Sequence, residues 1–273
     1  MTLPDWLRVH RADTPLILAM PHGGHAIPVE MLPRFVSEWT ATRDADWHIS
    51  DLYEDLARAT IVSTSISRSV IDVNRDPDGG SLYPGQATTE LCPTTTFDGD
   101  PLYDLGMAPE AVEIADRRSR WFLPYHAALS AEVVRLRALH PKIVLYDCHS
   151  IRSRIPRLFD GELPEFNIGT NGATTCDPAL SASMATVCEA ARRSHIVDGR
   201  FRGGWTTRHY GRPGDGVHAI QMEIAIRAYL REPPGDVKPE NWPPTYDPAF
   251  AAPLRKNLAQ ILGAALDFTK GSA

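Results

Sequence analysis

Two histidines stand directly after short apolar runs. Leu16-Ile17-Leu18-Ala19-Met20 leads into Pro21-His22-Gly23-Gly24-His25, and Lys142-Ile143-Val144-Leu145-Tyr146 leads into Asp147-Cys148-His149-Ser150. In open α/β sheets ligands bind beyond the carboxyl ends of strands, and a Gly-Gly turn keeps that space clear of side-chain bulk. Two imidazoles so placed, with a carboxylate and an open position for water, make up the protein ligands of a catalytic zinc. Asp44 and Asp46, ahead of a helical pattern, are the nearest carboxylates, although either also suits a helix cap or dipole partner. Glu223 lies in Val217-His218-Ala219-Ile220-Gln221-Met222-Glu223-Ile224. A period of two puts Gln221 and Glu223 on the face of Val217 and Ala219, and Ile220, Met222 and Ile224 on the other. A glutamate in so apolar a strand needs a partner, such as Arg227, or a task, such as general base.

Other polar groups are less specific. Asn74-Arg75 could hold a carboxylate through a bidentate guanidinium, or form a surface ion pair with Asp72 or Asp76. Arg208, His209, Tyr210 and Arg212 cluster in a glycine-rich stretch. Cys148 reads as a small buried hydrophobe; as a nucleophile it would point away from its neighbour His149. His10, His126, His140 and His195 read as structural or surface residues.

The elements that must position these groups follow from the pattern. Residues 1–14 read as a polar lead-in, followed by the strand before His22. Residues 44–58 have helical spacing. Thr60 to Ser65 and Val70 to Val73 read as strands, and 76–106, rich in Pro, Gly, Thr and Asp, as a long loop. Glu110 to Leu139 is a long helical pattern that Pro124 breaks or kinks. After the strand at 142–147 come a loop at 152–165, a strand at 166–170 and a helix from Asp177-Pro178 to about Arg193. A glycine-rich stretch at 199–216, the strand at 217–224, a Pro-rich connection at 231–248 and an amphipathic helix opened by Asp247-Pro248 complete the chain. Alternation of strands and helices predicts one α/β domain over residues 1–273, a length near the upper limit for one core.

Composition narrows the function classes. A net charge of −6 argues against nucleic acid or an anionic membrane as the main partner. No apolar run approaches the ~20 residues of a membrane span, and the start Met-Thr-Leu-Pro-Asp-Trp lacks a signal-peptide pattern. None of the four cysteines forms a CxxC pair, so a thiolate zinc site is not expected. With no export pattern read in the sequence, reduced thiols and a cytoplasmic location are expected.

Taken in order, Pro21-His22-Gly23-Gly24, Asp72-Val73-Asn74-Arg75, Asp147-Cys148-His149-Ser150, Asn167-Ile168-Gly169 and the block from Arg208-His209-Tyr210-Gly211-Arg212-Pro213 to Gln221-Met222-Glu223 resemble the N-formylglutamate amidohydrolase family. That family is similar in fold to zinc carboxypeptidases and aspartoacylases. The resemblance implies a three-layer α/β domain with a mixed, mostly parallel sheet, and hydrolysis of N-formyl-L-glutamate to glutamate and formate in histidine degradation. It implies Zn2+, or another divalent metal, on His22, His149 and Asp46, with Asp44 the fallback. His25 stands where carboxypeptidases carry a carboxylate ligand and receives no metal role. Glu223 would be the base and Arg68 would polarise the scissile carbonyl. Asn74, Arg75, Arg208, Tyr210, Arg212 and Gln221 would bind the dicarboxylate substrate, with the arginines of 152–157 as further candidates. Another N-acyl or N-formyl amino acid, or a small peptide, is the nearest alternative substrate. A non-catalytic α/β binding protein is the alternative of a different class.

Overall fold

The computed structural model describes residues 3–80, 85 and 88–271. Its centre is a seven-stranded sheet of β1 (Leu7–His10), β2 (Leu16–Met20), β3 (Thr60–Thr64), β4 (Ile143–Ile151), β5 (Phe166–Gly169), β6 (His195–Val197) and β7 (Val217–Ala225). The spatial order is β1-β3-β2-β4-β7-β5-β6. Pairs β2/β3, β2/β4, β4/β7 and β5/β6 are parallel, whereas β1/β3 and β5/β7 are antiparallel. The sheet is therefore mixed and mostly parallel, as the sequence implies.

The period of two sorts each strand between two cores. Leu16, Leu18, Val144, Tyr146, Ile220, Met222 and Ile224 pack under α2 (Ile49–Tyr53), α5 (Pro178–Ala190) and α7 (Pro248–Lys270). Ile17, Ala19, Ile143, Leu145, Val217 and Ala219 pack under α4 (Leu123–Leu139) with Trp121 and Phe122. Each fully buried aliphatic side chain contributes about 1.5–3 kcal/mol, so this alternation fixes the register. Cys148 falls in the first core, opposite His149. Burial, then the nearby Asp147 and Asp46 charges, push its thiol well above the ordinary range, which leaves it neutral.

Several elements differ from the sequence expectation. The lead-in contains β1, an edge strand with Leu7 and Val9 packed into the second core and Arg8 and His10 exposed. Residues 44–58 form only α2; His48 at φ 60° starts it, and Asp44 and Asp46 stand in the preceding turn. Residues 70–73 are not a strand. Asp72 accepts the Asn74 N–H on its side chain at 2.9 Å, and Val70 N–H bonds Ser67, so local turns replace a ladder. The loop at 76–106 is irregular wherever described; 81–84, 86 and 87 lie outside the described residues. The long helix is α3 (Ala111–Arg117), a π-helical turn at 118–122, and α4 with Pro124 in its first turn. Pro124 has no N–H to return and clashes with the carbonyl four residues back, which the wider turn relieves. The glycine-rich stretch holds α6 (Trp205–Tyr210). Strand β6 was not anticipated; α1 (Glu38–Thr42), capped by Ser37, completes the helices. No helix among the described residues is long and apolar enough to cross a membrane.

Candidate active site

Strands β2, β4 and β7 are neighbours and run parallel, so their carboxyl ends share one edge. His22 leaves β2 there, His149 lies near the end of β4, and Glu223 is directly across from His149 in the register. The turn after His22 requires Gly24: a Cβ there would sit 2.3 Å from the Ser65 carbonyl carbon. The turn also brings Asp46 in, because Asp46 N–H donates to the His22 carbonyl at 3.0 Å and Asp46 Oδ2 accepts the Ser150 N–H at 3.0 Å.

His22, Asp46 and His149 converge with ligand atoms all within 4.8 Å of one another. His149 Nδ1 lies 3.3 Å from Asp46 Oδ2, and His22 Nδ1 lies 3.9 Å from Asp46 Oδ1. Donors about 2.1 Å from a tetrahedral ion stand about 3.4 Å apart, so the spacing suits zinc. His22 Nδ1 and Asp46 Oδ1 are buried and have no hydrogen-bond partner among the described residues, a costly state that a cation would relieve. The opposite nitrogens are braced as metal-ligating imidazoles are: His22 Nε2 meets Asp72 Oδ1 at 2.7 Å, and His149 Nε2 meets Asp147 Oδ2 at 3.0 Å. The residues present therefore fit a divalent metal. Asp44 is committed elsewhere, accepting the Phe97 N–H at 2.7 Å and pairing with Arg152 at 3.4 Å.

The electrostatics follow from burial and crowding. Burial lowers the His149 pKa, but Asp147 and Asp46 outweigh it and hold the imidazole well above its ordinary value. His22 is pushed down to about 4 by burial and by Arg68. Burial raises Asp72, but Arg75, His22 and Arg68 overcome it and keep the carboxylate well below its usual range. Glu223 is pushed up to about 8 by burial, with His149 opposing. Burial thus makes the Glu223 carboxylate a stronger base than an exposed one, and a cation beside it would draw its pKa back down.

The cavity over these groups, about 60 Å³, is lined by His22, His149, Glu223, Gln221, Asn74 and Arg75, among others. Arg68 also faces it; Arg68 donates to Asp72 Oδ2 at 2.7 Å, lies 3.7 Å from Asp46 Oδ1, and sits over the Phe97 ring at 4.8 Å. Arg75 is bound to Thr89 through Nε and Nη2, each at 3.0 Å, and lies 3.7 Å from Asp72.

Other candidates change role. Asn74 lines the cavity, but Nδ2 donates to Asp147 Oδ2 at 3.2 Å and stands 2.9 Å from His149 Nε2, while Oδ1 accepts the Thr206 N–H at 2.8 Å. Its amide braces the His149–Asp147 pair. Gln221 accepts the Gly204 N–H at 2.7 Å and donates to Glu223 Oε2 at 3.2 Å, so it holds Glu223 in place. Arg208, Tyr210 and Arg212 do not line the cavity. Tyr210 is buried against His126, Trp205 and His209; Arg208 donates to the Gly203 carbonyl; Arg212 caps the entry to β7. Helix α6 carries Tyr210 onto His126 of α4, while Arg212 lies beyond the helix, in the turn before β7. Arg152 and Arg154 pair with Asp98 and Glu162, and Arg157 bonds the Thr96 carbonyl. Arg227 pairs with Glu162 and not with Glu223. His25 stacks on Trp47 at the surface.

Some cavity groups escaped the sequence reading. Phe97, Leu158, Arg200 and Phe201 come from segments without regular periodicity. Asp72 and Asp147 lay inside motifs already singled out, and their position two residues from Asn74 and His149 was the available signal.

A His-Asp-His donor set beside a buried glutamate, at the carboxyl ends of a mixed α/β sheet, defines a hydrolase-type site able to hold a metal ion. The sequence model of one family, N-formylglutamate amidohydrolase, matches residues 14–230, and the chain belongs to that family. It is 46% identical to the N-formylglutamate deformylase of Pseudomonas aeruginosa over 84% of this chain and 87% of the relative. It is 42% identical to the N-formylglutamate deformylase of Pseudomonas putida over 95% of each. The fold is also that of the crystal structure of N-formylglutamate amidohydrolase from Ralstonia eutropha JMP134, with a TM-score of 0.78, 21% identity, and 97% and 98% of the two chains covered. A gene product of Agrobacterium tumefaciens is similar in fold at a TM-score of 0.71 and 19% identity, covering 98% and 97%.

Proposed function

We propose that this protein hydrolyses the formamide bond of N-formyl-L-glutamate to L-glutamate and formate, with a divalent metal, zinc in the first instance, held by His22, Asp46 and His149. The observation that carries the reading is a pair of buried atoms without a hydrogen-bond partner among the described residues, His22 Nδ1 and Asp46 Oδ1, next to His149 on the strand beside that of Glu223. The names of the two Pseudomonas relatives supply the substrate. A role in histidine degradation rests on the family resemblance.

A bound cation supplies Lewis-acid chemistry, lowering the pKa of water toward ~7 and polarising a carbonyl oxygen. The chain's own residues do the rest. Glu223 accepts a proton as water adds to the formyl carbon, and returns it to the amine nitrogen as the C–N bond breaks. Gln221 keeps the Glu223 carboxyl in line through its hydrogen bond. Arg68, fixed by Asp72 and Phe97, faces the oxygen on which negative charge develops. Arg75, positioned by Thr89, lines the cavity and offers its remaining guanidinium N–H groups to a substrate carboxylate.

The test is formate release from N-formyl-L-glutamate, before and after chelation, with metal analysis of the same sample and side-by-side rates for N-formyl-aspartate and N-acetyl-glutamate. Release that is lost on chelation and returns with zinc supports the reading. Undiminished release from a metal-free sample, or a faster rate on either comparison compound, overturns it.

A further inference from the structure

The cavity wall has two unlike parts. Around His22, His149 and Glu223 it is polar, with Arg68 and Arg75 close by. Farther along, it is formed by Phe97, Ile151, Leu158 and Phe201, which belong to a small separate apolar cluster, and Arg200 joins the wall there. Arg200 comes from the segment between β6 and α6, whereas Arg75 follows the turn after β3, so the two guanidiniums enter from different segments. Arg200 Nε donates to the Leu158 carbonyl at 2.7 Å, and its guanidinium lies 5.3 Å from the centre of the Phe201 ring. Its position is thereby fixed by the same apolar residues that line the wall. Arg68 is bound to Asp72, so among the described lining residues Arg75 and Arg200 are the two guanidiniums that stand at separate parts of the wall.

Resting on the proposed function, we infer that Arg200 is the residue that reads the substrate's side-chain carboxylate, while Arg75 takes the α-carboxylate. A glutamyl side chain is a short apolar stem ending in a charge. Leu158 and Phe201 match the stem and Arg200 matches its end. Arg75 lies beside Asp72 and Asn74, within the layer that braces the two histidines, and so meets the carboxylate nearest the scissile amide. A guanidinium presents planar paired donors that a carboxylate accepts and a carboxamide does not match. Arg200 is thus a specificity determinant, acting on which N-formyl amino acid is held.

The experiment compares kcat/KM for N-formyl-glutamate, N-formyl-glutamine and N-formyl-isoglutamine in the wild type, R200Q, R200K and R75K, with melting curves for each variant. The wild type should prefer glutamate to glutamine by about tenfold to a hundredfold, the range for a hydrogen bond to a charged group. R200Q should bring that ratio to within about threefold, chiefly through KM, and R200K should restore part of it. R75K should instead erode the preference over isoglutamine. A glutamate-to-glutamine ratio kept in R200Q, or an R200Q effect confined to isoglutamine, overturns the assignment while leaving the deformylase reading intact. Formate release from none of the three by the wild type overturns that reading, and the Arg200 assignment with it.

Discussion

Asp72 Oδ1 and His22 Nε2 are 2.7 Å apart, both fully buried, and the same carboxylate carries Arg68 on its other oxygen at 2.7 Å. One aspartate therefore sets the tautomer of His22, a candidate metal ligand, and the position of a cavity arginine. Asp72→Asn should lower affinity for zinc about 10- to 100-fold, the usual cost of losing such a brace. It also leaves a buried guanidinium poorly paired, worth about 3–5 kcal/mol of stability. Titration against a competing chelator and a denaturant melt measure the two effects; unchanged zinc affinity would show that Asp72 serves Arg68 alone.

Glu223 lies across the strand pair from His149 and is not among the three convergent donors. Glu223→Gln should keep the metal while turnover falls on the order of a hundredfold or more, the scale of general-base catalysis. The amide can still meet Gln221, so folding should change little. Metal content and single-turnover formate release on the same preparation decide the matter. A near-normal rate would remove Glu223 from proton transfer.

The legible part of this molecule is the part written in regular strands. His22, His149 and Glu223 were visible because each sits at the end of, or within, an apolar strand whose period gives its face. The sheet could be read for the same reason. Asp46 was separable from Asp44 only through the family resemblance, since both precede one short helix; the structure parts them by giving Asp44 to Arg152 and Phe97. Tyr210 was hard to place because a glycine-rich stretch hid α6, whose 3.6-residue turn carries this side chain into the core. Arg200 and Phe97 lie on irregular segments where spacing says nothing about direction. The β-like composition of 70–73 misled because Asp72 and Ser67 offer the backbone local partners.

His126 links α4 to the Asn74-Arg75 segment. Its Nε2–H donates to the Val73 carbonyl at 2.7 Å, and Nδ1 faces the Tyr210 hydroxyl at 3.1 Å. Burial pushes its pKa down to about 3, with the Val73 bond opposing. Between about 6.5 and 3 the unfolded chain binds the proton and the native chain does not, so stability rises with pH across that window. This contribution is complete above pH 6.5 and is lost as pH falls toward 3; the separation corresponds to at most ~5 kcal/mol. His126→Gln, which keeps a donor for Val73 without titrating, should flatten the stability–pH curve there. Denaturant melts at pH 7, 5.5 and 4.5 test this, and an equally steep acid loss in the variant would assign it to other groups.

Gly204, at the start of α6, packs that helix closely against the groups that brace His149 and Glu223. Its N–H donates to Gln221, and a Cβ there would lie 2.4 Å from Asn74 Nδ2, the amide that braces Asp147 and His149. Gly204→Ala must therefore displace Asn74 or lift the start of α6, and overpacking of this kind costs about 1–3 kcal/mol. Because both neighbours serve the site, the loss should not stop at stability. Zinc affinity should drop through His149, and kcat should drop through Gln221 and Glu223, with KM less affected. Asn74→Ala in the same background removes the clash and provides the control. If G204A/N74A regains stability but neither zinc affinity nor kcat beyond the N74A level, the brace runs through Asn74 as described. If G204A alone lowers the melting temperature and leaves zinc affinity and kcat at wild-type values, Asn74 and Gln221 do not transmit strain to the ligand layer.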